Sequence, residues 1–372
     1  MAKKFQELRD KMRRRERTDE EALAEERGRV AAVGQRVERE RVVKALQKEV
    51  KVLESRQAFI DEISSAPDPE PLVIKALKGQ GKTLPAATYV MLASDWHVGE
   101  RVRPENVGGR NEYTPEIAQE RALRYWKSQL IMLNAARAAW DVRWAVLWLG
   151  GDLMTGYIHE EYLEENFLSP VEEALLLHRM LLPGIRAFMD ESGLERLLVP
   201  TSCGNHGRTG QKMKVSTAAK NSFEWLAYQH LAFALDGDDR IKFQVGTGYH
   251  NVVDVYGFRI RFHHGDGLSY QGGIGGLSIP ANRRIGRQAL SIPLEWEGTI
   301  RGVTHLDAFG HYHQLSYPKY FISNGSLIGW NDFAEKIGCS FEPPQQCSFV
   351  VDERYRVVSN FNPILVTSRG KK

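Results

Sequence analysis

Five short segments of this chain carry side chains of the kind that hold divalent cations: Asp95 and His97; Asp152; Asn205 and His206; His263 and His264; and His311 and His313. The first segment shows the pattern best. The apolar run Tyr89–Ala93 reads as a buried strand and gives way at once to Ser94-Asp95-Trp96-His97. In extended backbone, residues i and i+2 point to the same side, so Asp95 and His97 can grip one cation from the end of one strand. Gly151-Asp152, Gly204-Asn205-His206, His263-His264-Gly265 and Gly310-His311-Tyr312-His313 each stand near the end of a further apolar run. Glycine beside a ligand lets the backbone turn sharply and approach an ion closely. Two carboxylates, an amide and several imidazoles make a mixed oxygen and nitrogen donor set. It suits Mn²⁺, Fe or Zn²⁺ and lacks the thiolates that would demand zinc or an iron–sulfur cluster. Taken singly, each segment also reads as an ordinary strand end or a turn with a satisfied core histidine. Five in succession point to one shared metal site.

The elements that must position these groups alternate between strand and helix in the first half. After the strand to Ala93, Thr114-Pro115-Glu116 offers a cap, a first-turn proline and an acid suited to the helix dipole, opening a helical pattern towards Trp140. Val142–Leu149 is a second apolar strand. Ser169-Pro170-Val171-Glu172 matches a capping box and opens a helix through about Met189. Leu194–Pro200 is a third strand. Strands then predominate: Ile241–Val245, Asn251–Tyr256 and Phe258–His264, the last two joined at Gly257, with further strand material in Val303–Phe309, Leu315–Ile322 and Phe349–Val357. This order predicts an α/β layered domain with a mixed sheet or two packed sheets. In such folds ligands gather at the carboxyl ends of strands, where all five segments fall.

The chain of 372 residues is 42% hydrophobic and 26% charged, values of a soluble globular protein large enough for one big domain and an appendage. No apolar run reaches the roughly 18 residues of a membrane helix, and no apolar stretch follows Lys3 and Lys4 as in a secretory signal. Cys203, Cys339 and Cys347 make no Cys-x-x-Cys pair, and a reducing cytoplasm is the expected setting. Residues 1–65 are predicted to form a charged helical extension and 66–86 a linker around the proline-spaced Ala66–Pro71, ahead of a domain over 87–372. Within the extension, Thr18-Asp19-Glu20-Glu21 fits a capping box. Val43, Leu46, Val50, Leu53 and Ile60 form a short heptad seam broken at Gln57, so self-association through residues 40–60 is one expectation and packing on the protein's own body another. Residues 1–17 hold eight basic and three acidic side chains, whereas the whole chain carries only +3. Such an arm attracts nucleic acid or an anionic surface, or is simply a solvated tail. Gly79-Gln80-Gly81-Lys82-Thr83 invites a phosphate-loop reading, but the glycine required five positions before Gly81 is Ala76.

The order Asp-x-His, Gly-Asp, Gly-Asn-His, His-Gly and Gly-His-x-His resembles the calcineurin-like metallophosphoesterase superfamily over about residues 87–325. The resemblance implies a two-sheet β-sandwich core flanked by helices and a two-metal hydrolase. It implies that Asp95, His97 and His313 hold one metal, that Asn205, His264 and His311 hold the other, and that Asp152 bridges them. His206 matches the family's catalytic histidine. Two cations roughly 3.5–4 Å apart clamp both sides of an in-line displacement at phosphorus and activate water, with manganese the expected metal and iron or zinc the alternatives. A histidine near its ordinary pKa can donate a proton to the departing oxygen. Two positions depart from the family pattern. Gly-Asn-His is followed by Gly207-Arg208 rather than an acid, and Thr155 stands three residues after Asp152. Arg208 offers a planar fork for a substrate phosphate. His263 rivals His264 but does not directly precede Gly265. His159, His178, His230, His250 and His305 fall outside the motifs.

For the substrate, the glycine-rich stretch after Gly265 leads to Arg283, Arg284 and Arg287, with Tyr270 available to stack on a base. With the basic arm, this favours a phosphodiesterase or nuclease on nucleic acid, DNA first. The whole chain, with its Ser94–Glu100 entry, is also similar to uncharacterised phosphoesterases of phage and prophage origin, and the superfamily includes DNA-repair nucleases. A phosphatase or pyrophosphatase on a nucleotide or phosphoprotein, and a non-catalytic scaffold on the same fold, are the alternatives.

Overall fold

The computed structural model describes residues 84–158, 160–270, 276–291 and 304–367, the backbone of Leu72–Ile74, and scattered helical positions between residues 6 and 54. The Asp19–Glu21 part of the expected capping box, Leu53, Gln57 and Ile60 of the seam, the prolines of 66–71, the Gly79–Thr83 stretch, His159 and residues 271–275 lie outside them. The chain divides into two compact units, Met1–Pro67 and Asp68–Lys372. In the first, the described positions are helical, and Val43, Leu46 and Val50 of the seam are exposed.

The second unit is an α/β fold of two sheets flanked by helices. The larger sheet has six strands in the order β11-β10-β2-β3-β4-β5. Its centre is β2 (Ala86–Ala93), β3 (Asp141–Leu149), β4 (Arg196–Pro200) and β5 (Ile241–Gln244), all parallel. An antiparallel hairpin of β10 (Gln345–Asp352) and β11 (Val358–Leu365) completes it against β2. The smaller sheet runs β1 (Leu72–Ile74), β6 (Asn251–Val255), β7 (Phe258–Phe262), β8 (Leu306–Phe309) and β9 (Phe321–Ser323). Its first strand falls inside the expected linker, where the apolar Leu72-Val73-Ile74 pairs in parallel with β6.

Alternation along the central strands divides their side chains between two cores. Val90, Leu92, Val146 and Trp148 meet Val253, Ile260, Phe262 and Ala308 of the smaller sheet. The intervening Tyr89, Met91, Ala145 and Leu147 join the helical layer. Being covered on both faces, these strands read as continuous apolar runs. The helical layer is built from α1 (Pro115–Ala136), α3 (Pro170–Ser192) and α4 (Phe223–Leu235); the short α2 (Glu160–Glu165) precedes α3. Thr114 Oγ1 accepts from Ile117 N at 3.4 Å and caps α1. Ser169 and Glu172 make the expected reciprocal capping box on α3. On the outer side of the smaller sheet, α5 (Ser278–Ser291) helps cover Phe309 and Phe321, and α6 (Asp332–Ile337) follows β9.

The later strands differ from the sequence reading. Of Leu315–Ile322 only Phe321 and Ile322 enter a strand, joined by an isolated bridge between Ser316 and Ser323. Phe349–Val357 is not one strand but the end of β10 and the turn into β11. Cys203, Cys339 and Cys347 are free thiols. Among the described residues, no helix is long and apolar enough to cross a membrane.

Candidate metal centre

Every expected ligand lies just beyond the carboxyl end of a strand: Asp95 and His97 after β2, Asp152 after β3, Asn205 after β4, His264 after β7, and His311 and His313 after β8. The strand ends are tied to one another beyond their ladders. Asp95 N donates to Gly151 O at 3.0 Å, His97 N to Asp152 O at 3.1 Å, and Gly310 N to His264 O at 2.8 Å. Five of these ligands adopt left-handed backbone: Asp95 (φ 57°), His97 (47°), Asp152 (48°), His311 (70°) and His313 (54°). Such φ values are uncommon outside glycine and cost free energy, so their concentration at one place marks a constrained site.

Two groups result. Asp95, His97 and His313 form one, and Asp152, His264 and His311 the other; within each, candidate donor atoms all lie within 4.8 Å of one another. In the first, His97 Nε2 and His313 Nε2 face each other at 3.2 Å, with Asp95 Oδ1 3.5 Å from His313 Nε2. In the second, His264 Nε2 meets Asp152 Oδ2 at 2.9 Å, Asn205 Oδ1 at 3.2 Å and His311 Nδ1 at 3.3 Å. Asn205 thus lies beside the second group. The charge of Asp152 also acts on His97 and His313 of the first group.

The second group fits a cation. His264 Nδ1 lies 2.9 Å from Gly150 O, which holds the proton of the neutral ring on that nitrogen. The bare Nε2 then faces a carboxylate oxygen, an amide oxygen and an imidazole nitrogen. Such a convergence of acceptors calls for a shared positive centre. Without a metal, a proton takes that role: burial opposes charge on His264, but Asp152 raises its pKa well above the ordinary value. Asp152 is correspondingly held ionised against the cost of burial, chiefly by His264. The remaining imidazoles are kept neutral. Burial pushes His311 down to about 4 and His313 to about 3, and holds His97 well below the ordinary histidine value. Neutral imidazole is the form that ligates.

His206 stands at the edge of both groups. Its backbone N–H donates to Asp152 Oδ1 at 2.8 Å, and its Nδ1 lies 3.0 Å from Thr155 O. Its ring packs edge-on against His97, with centroids 4.8 Å apart. Thr155, one of the departures from the family pattern, therefore orients the histidine through its main chain.

His263 and His264 are neighbours in extended backbone and face opposite ways. His263 is buried against Phe309 and Tyr249 on the outer side of the smaller sheet, 3.4 Å from Asp307 Oδ2, away from both groups. Arg208, of which a phosphate clamp is expected, makes hydrogen bonds within its own turn. Its guanidinium donates to Asn205 O at 2.7 Å, Gly210 O at 3.1 Å and Gln211 O at 2.9 Å, so it fixes the loop that carries Asn205. The fork is satisfied by carbonyls of its own turn rather than aimed at the ligand groups.

Three acids beneath the site escape the sequence reading. Glu224 accepts from Leu153 N at 2.6 Å and Gly204 N at 2.7 Å, tying the loops after β3 and β4 together. Glu173 accepts from Gly156 N at 2.8 Å. Glu100 lies 3.5 Å from His97 Nδ1 and accepts from Asn331 Nδ2 at 2.9 Å, the place of an orienting carboxylate behind a ligating histidine. Burial pushes Glu224 and Glu173 up to about 7 and Glu100 to about 8. Glu173 and Glu224 sit in first helical turns, where acids are commonplace; Glu100, three residues after His97, was the one with a local signal.

No family model and no curated protein sequence matches the chain. Among solved structures it is similar to Vps29 of Entamoeba histolytica complexed with Zn²⁺, at 12% identity and a TM-score of 0.27, over 75% of this chain and 99% of that one. It is also similar to the sulfate thiohydrolase SoxB of Thermus thermophilus in complex with glycerol, at 11% identity and a TM-score of 0.29, over 77% of this chain and 58% of SoxB. Superpositions this loose carry no functional argument. The family reading rests on the motifs.

Proposed function

We propose that this protein is a phosphoester hydrolase working with two divalent metal ions and, more narrowly, a phosphodiesterase that cuts nucleic acid. The observation that carries the reading is the convergence of Asp152, Asn205 and His311 on His264 Nε2, beside a second cluster of Asp95, His97 and His313. When bound, two such cations supply Lewis-acid charge to the phosphoryl group and to the attacking water. The protein's own part is to hold that geometry and to manage the proton. His206, oriented by Thr155 O and anchored through its N–H on Asp152, gives a proton from Nε2 to the departing ester oxygen. Glu224 and Arg208 keep the Asn205 loop in register with Asp152.

Nucleic acid as substrate is supported by the basic arm of residues 1–17 and by Arg283, Arg284 and Arg287, which α5 carries on the same unit as the metal centre. Manganese is the metal proposed, on the mixed oxygen and nitrogen donor set. The test offers Mn²⁺-loaded protein single- and double-stranded DNA, RNA, bis-(p-nitrophenyl) phosphate and the monoester p-nitrophenyl phosphate, beside an Asp152→Asn control. Metal-dependent cleavage of the small diester and of a polynucleotide, lost in the control, is the expected result. Turnover of monoesters alone would favour a phosphatase, and no turnover of any ester would leave a scaffold.

A further inference from the structure

A cavity of about 440 Å³ adjoins the second ligand group, and Asn205 itself lines it. Its volume falls within the range of small-molecule sites, roughly 300–1,000 Å³. The wall opposite in sequence comes from Tyr249, His250 and Arg284, and the loop after Arg208 adds Lys212, Met213, Lys214 and Val215. Four basic side chains and a single acid, Asp266, line the space. The acid is already engaged, since the Tyr249 hydroxyl donates to Asp266 Oδ1 at 2.7 Å.

Arg284 is held ready in this wall. Its guanidinium lies over the Tyr249 ring, 5.1 Å from the centroid, and Nη2 is 3.5 Å from His250 Nε2. Nη1 is buried and has no hydrogen-bond partner among the described residues. A buried guanidinium donor without an acceptor is costly, and an anion in the cavity would satisfy it. Lys214 donates to the neutral Asn221 Oδ1 at 3.0 Å and so keeps its charge uncompensated there. Tyr249 is already occupied by Arg284 and by His263, which stacks on it at 5.7 Å. Met213 and Val215, both exposed at the rim, are the surfaces left for an apolar or aromatic group.

We propose that this cavity receives the part of the substrate beyond the scissile phosphate, and that this part is a nucleotide unit bearing a further phosphate, held by Arg284 with Lys214. The proposal rests on the hydrolase reading for its orientation towards the metal centre. A polynucleotide and a free nucleoside bisphosphate present the same chemistry. In both, the second phosphate meets the guanidinium and the base meets Met213 and Val215.

Calorimetric titration of the full-length, Mn²⁺-loaded protein separates the possibilities. The probes are deoxythymidine monophosphate, a deoxythymidine bisphosphate phosphorylated on both sugar hydroxyls, and a short oligothymidylate. The bisphosphate is expected to bind about tenfold or more tighter than the monophosphate, the worth of one charge-assisted hydrogen bond. Arg284→Ala with Lys214→Ala should erase that preference, and Arg284→Lys should keep part of it. An oligothymidylate that binds tighter still assigns the pocket to a polynucleotide; equal binding assigns it to the free nucleotide. Equal affinity for the mono- and bisphosphate overturns the proposal. So does a double variant that weakens small-diester hydrolysis and nucleotide binding by the same factor. A protein that binds the bisphosphate through Arg284 yet hydrolyses no diester keeps the pocket and loses the hydrolase reading.

Discussion

Gly310 and Gly204 set how closely the ligand loops approach. A Cβ at Gly310 would lie 2.2 Å from Asp95 Oδ2, and one at Gly204 would lie 2.0 Å from Asp152 Oδ1. Either methyl must push a ligand carboxylate aside. Gly310→Ala is therefore expected to weaken Mn²⁺ binding by about 10–100-fold, the scale of disturbed ligand positioning, as read by calorimetry. Unchanged affinity would show that Asp95 does not need its present place. Glu173 gives a second test. Burial raises its carboxyl from an ordinary 4.5 to about 7, while its bond from Gly156 N opposes the shift. Between those values the folded chain holds a proton that the unfolded chain has released, so this group costs stability as pH rises through that window. Glu173→Gln removes that cost. From pH 4.5 to 7 the stability of the wild type should fall relative to the variant by up to about 3 kcal/mol, measured by urea unfolding at each pH. A constant difference would mean that the acid is ionised in the fold. The metal-type residues were legible because each stands in its own short motif. Glu173 and Glu224 were not, because nothing local distinguishes a buried first-turn acid from one that faces solvent and serves the helix dipole.

At the scale of elements, the strands that carry ligands declare themselves and the edges do not. β2 and β3 are covered on both faces, so their sequences are unbroken apolar runs that end where the ligands begin. β11 carries Ser359, Asn360, Asn362 and Pro363 and, among the described residues, has only β10 as a sheet neighbour, an edge position where proline and polar residues are tolerated. β1 and β9 have three residues each, too few to show a period. The starts of α1 and α3 were marked by capping chemistry. Ser169→Ala removes the acceptor for Glu172 N and is expected to cost about 1 kcal/mol, lowering Tm without changing metal affinity. A matching fall in metal affinity would instead mean that α3 transmits strain to the site through Glu173.

For the whole molecule, charge is the variable that separates a small-diester enzyme from one that works on polymers. Replacing Arg13, Arg14 and Arg15 by alanine should leave bis-(p-nitrophenyl) phosphate hydrolysis unchanged while weakening oligonucleotide binding. The slope of log affinity against log salt should become shallower by about 0.7 for each single-strand phosphate that the arm no longer neutralises. An unchanged slope would make the arm a solvated tail. Both readings of substrate stand on a more basic claim, that strand ends far apart in the chain are brought together to hold two ions. Titrating Mn²⁺ into metal-free protein, with metal content checked by elemental analysis, tests that claim most directly. Two ions per chain, with the affinity of both reduced in Asp152→Asn, is the predicted result; a chain that binds no ion, or binds as well without the Asp152 carboxylate, contradicts it.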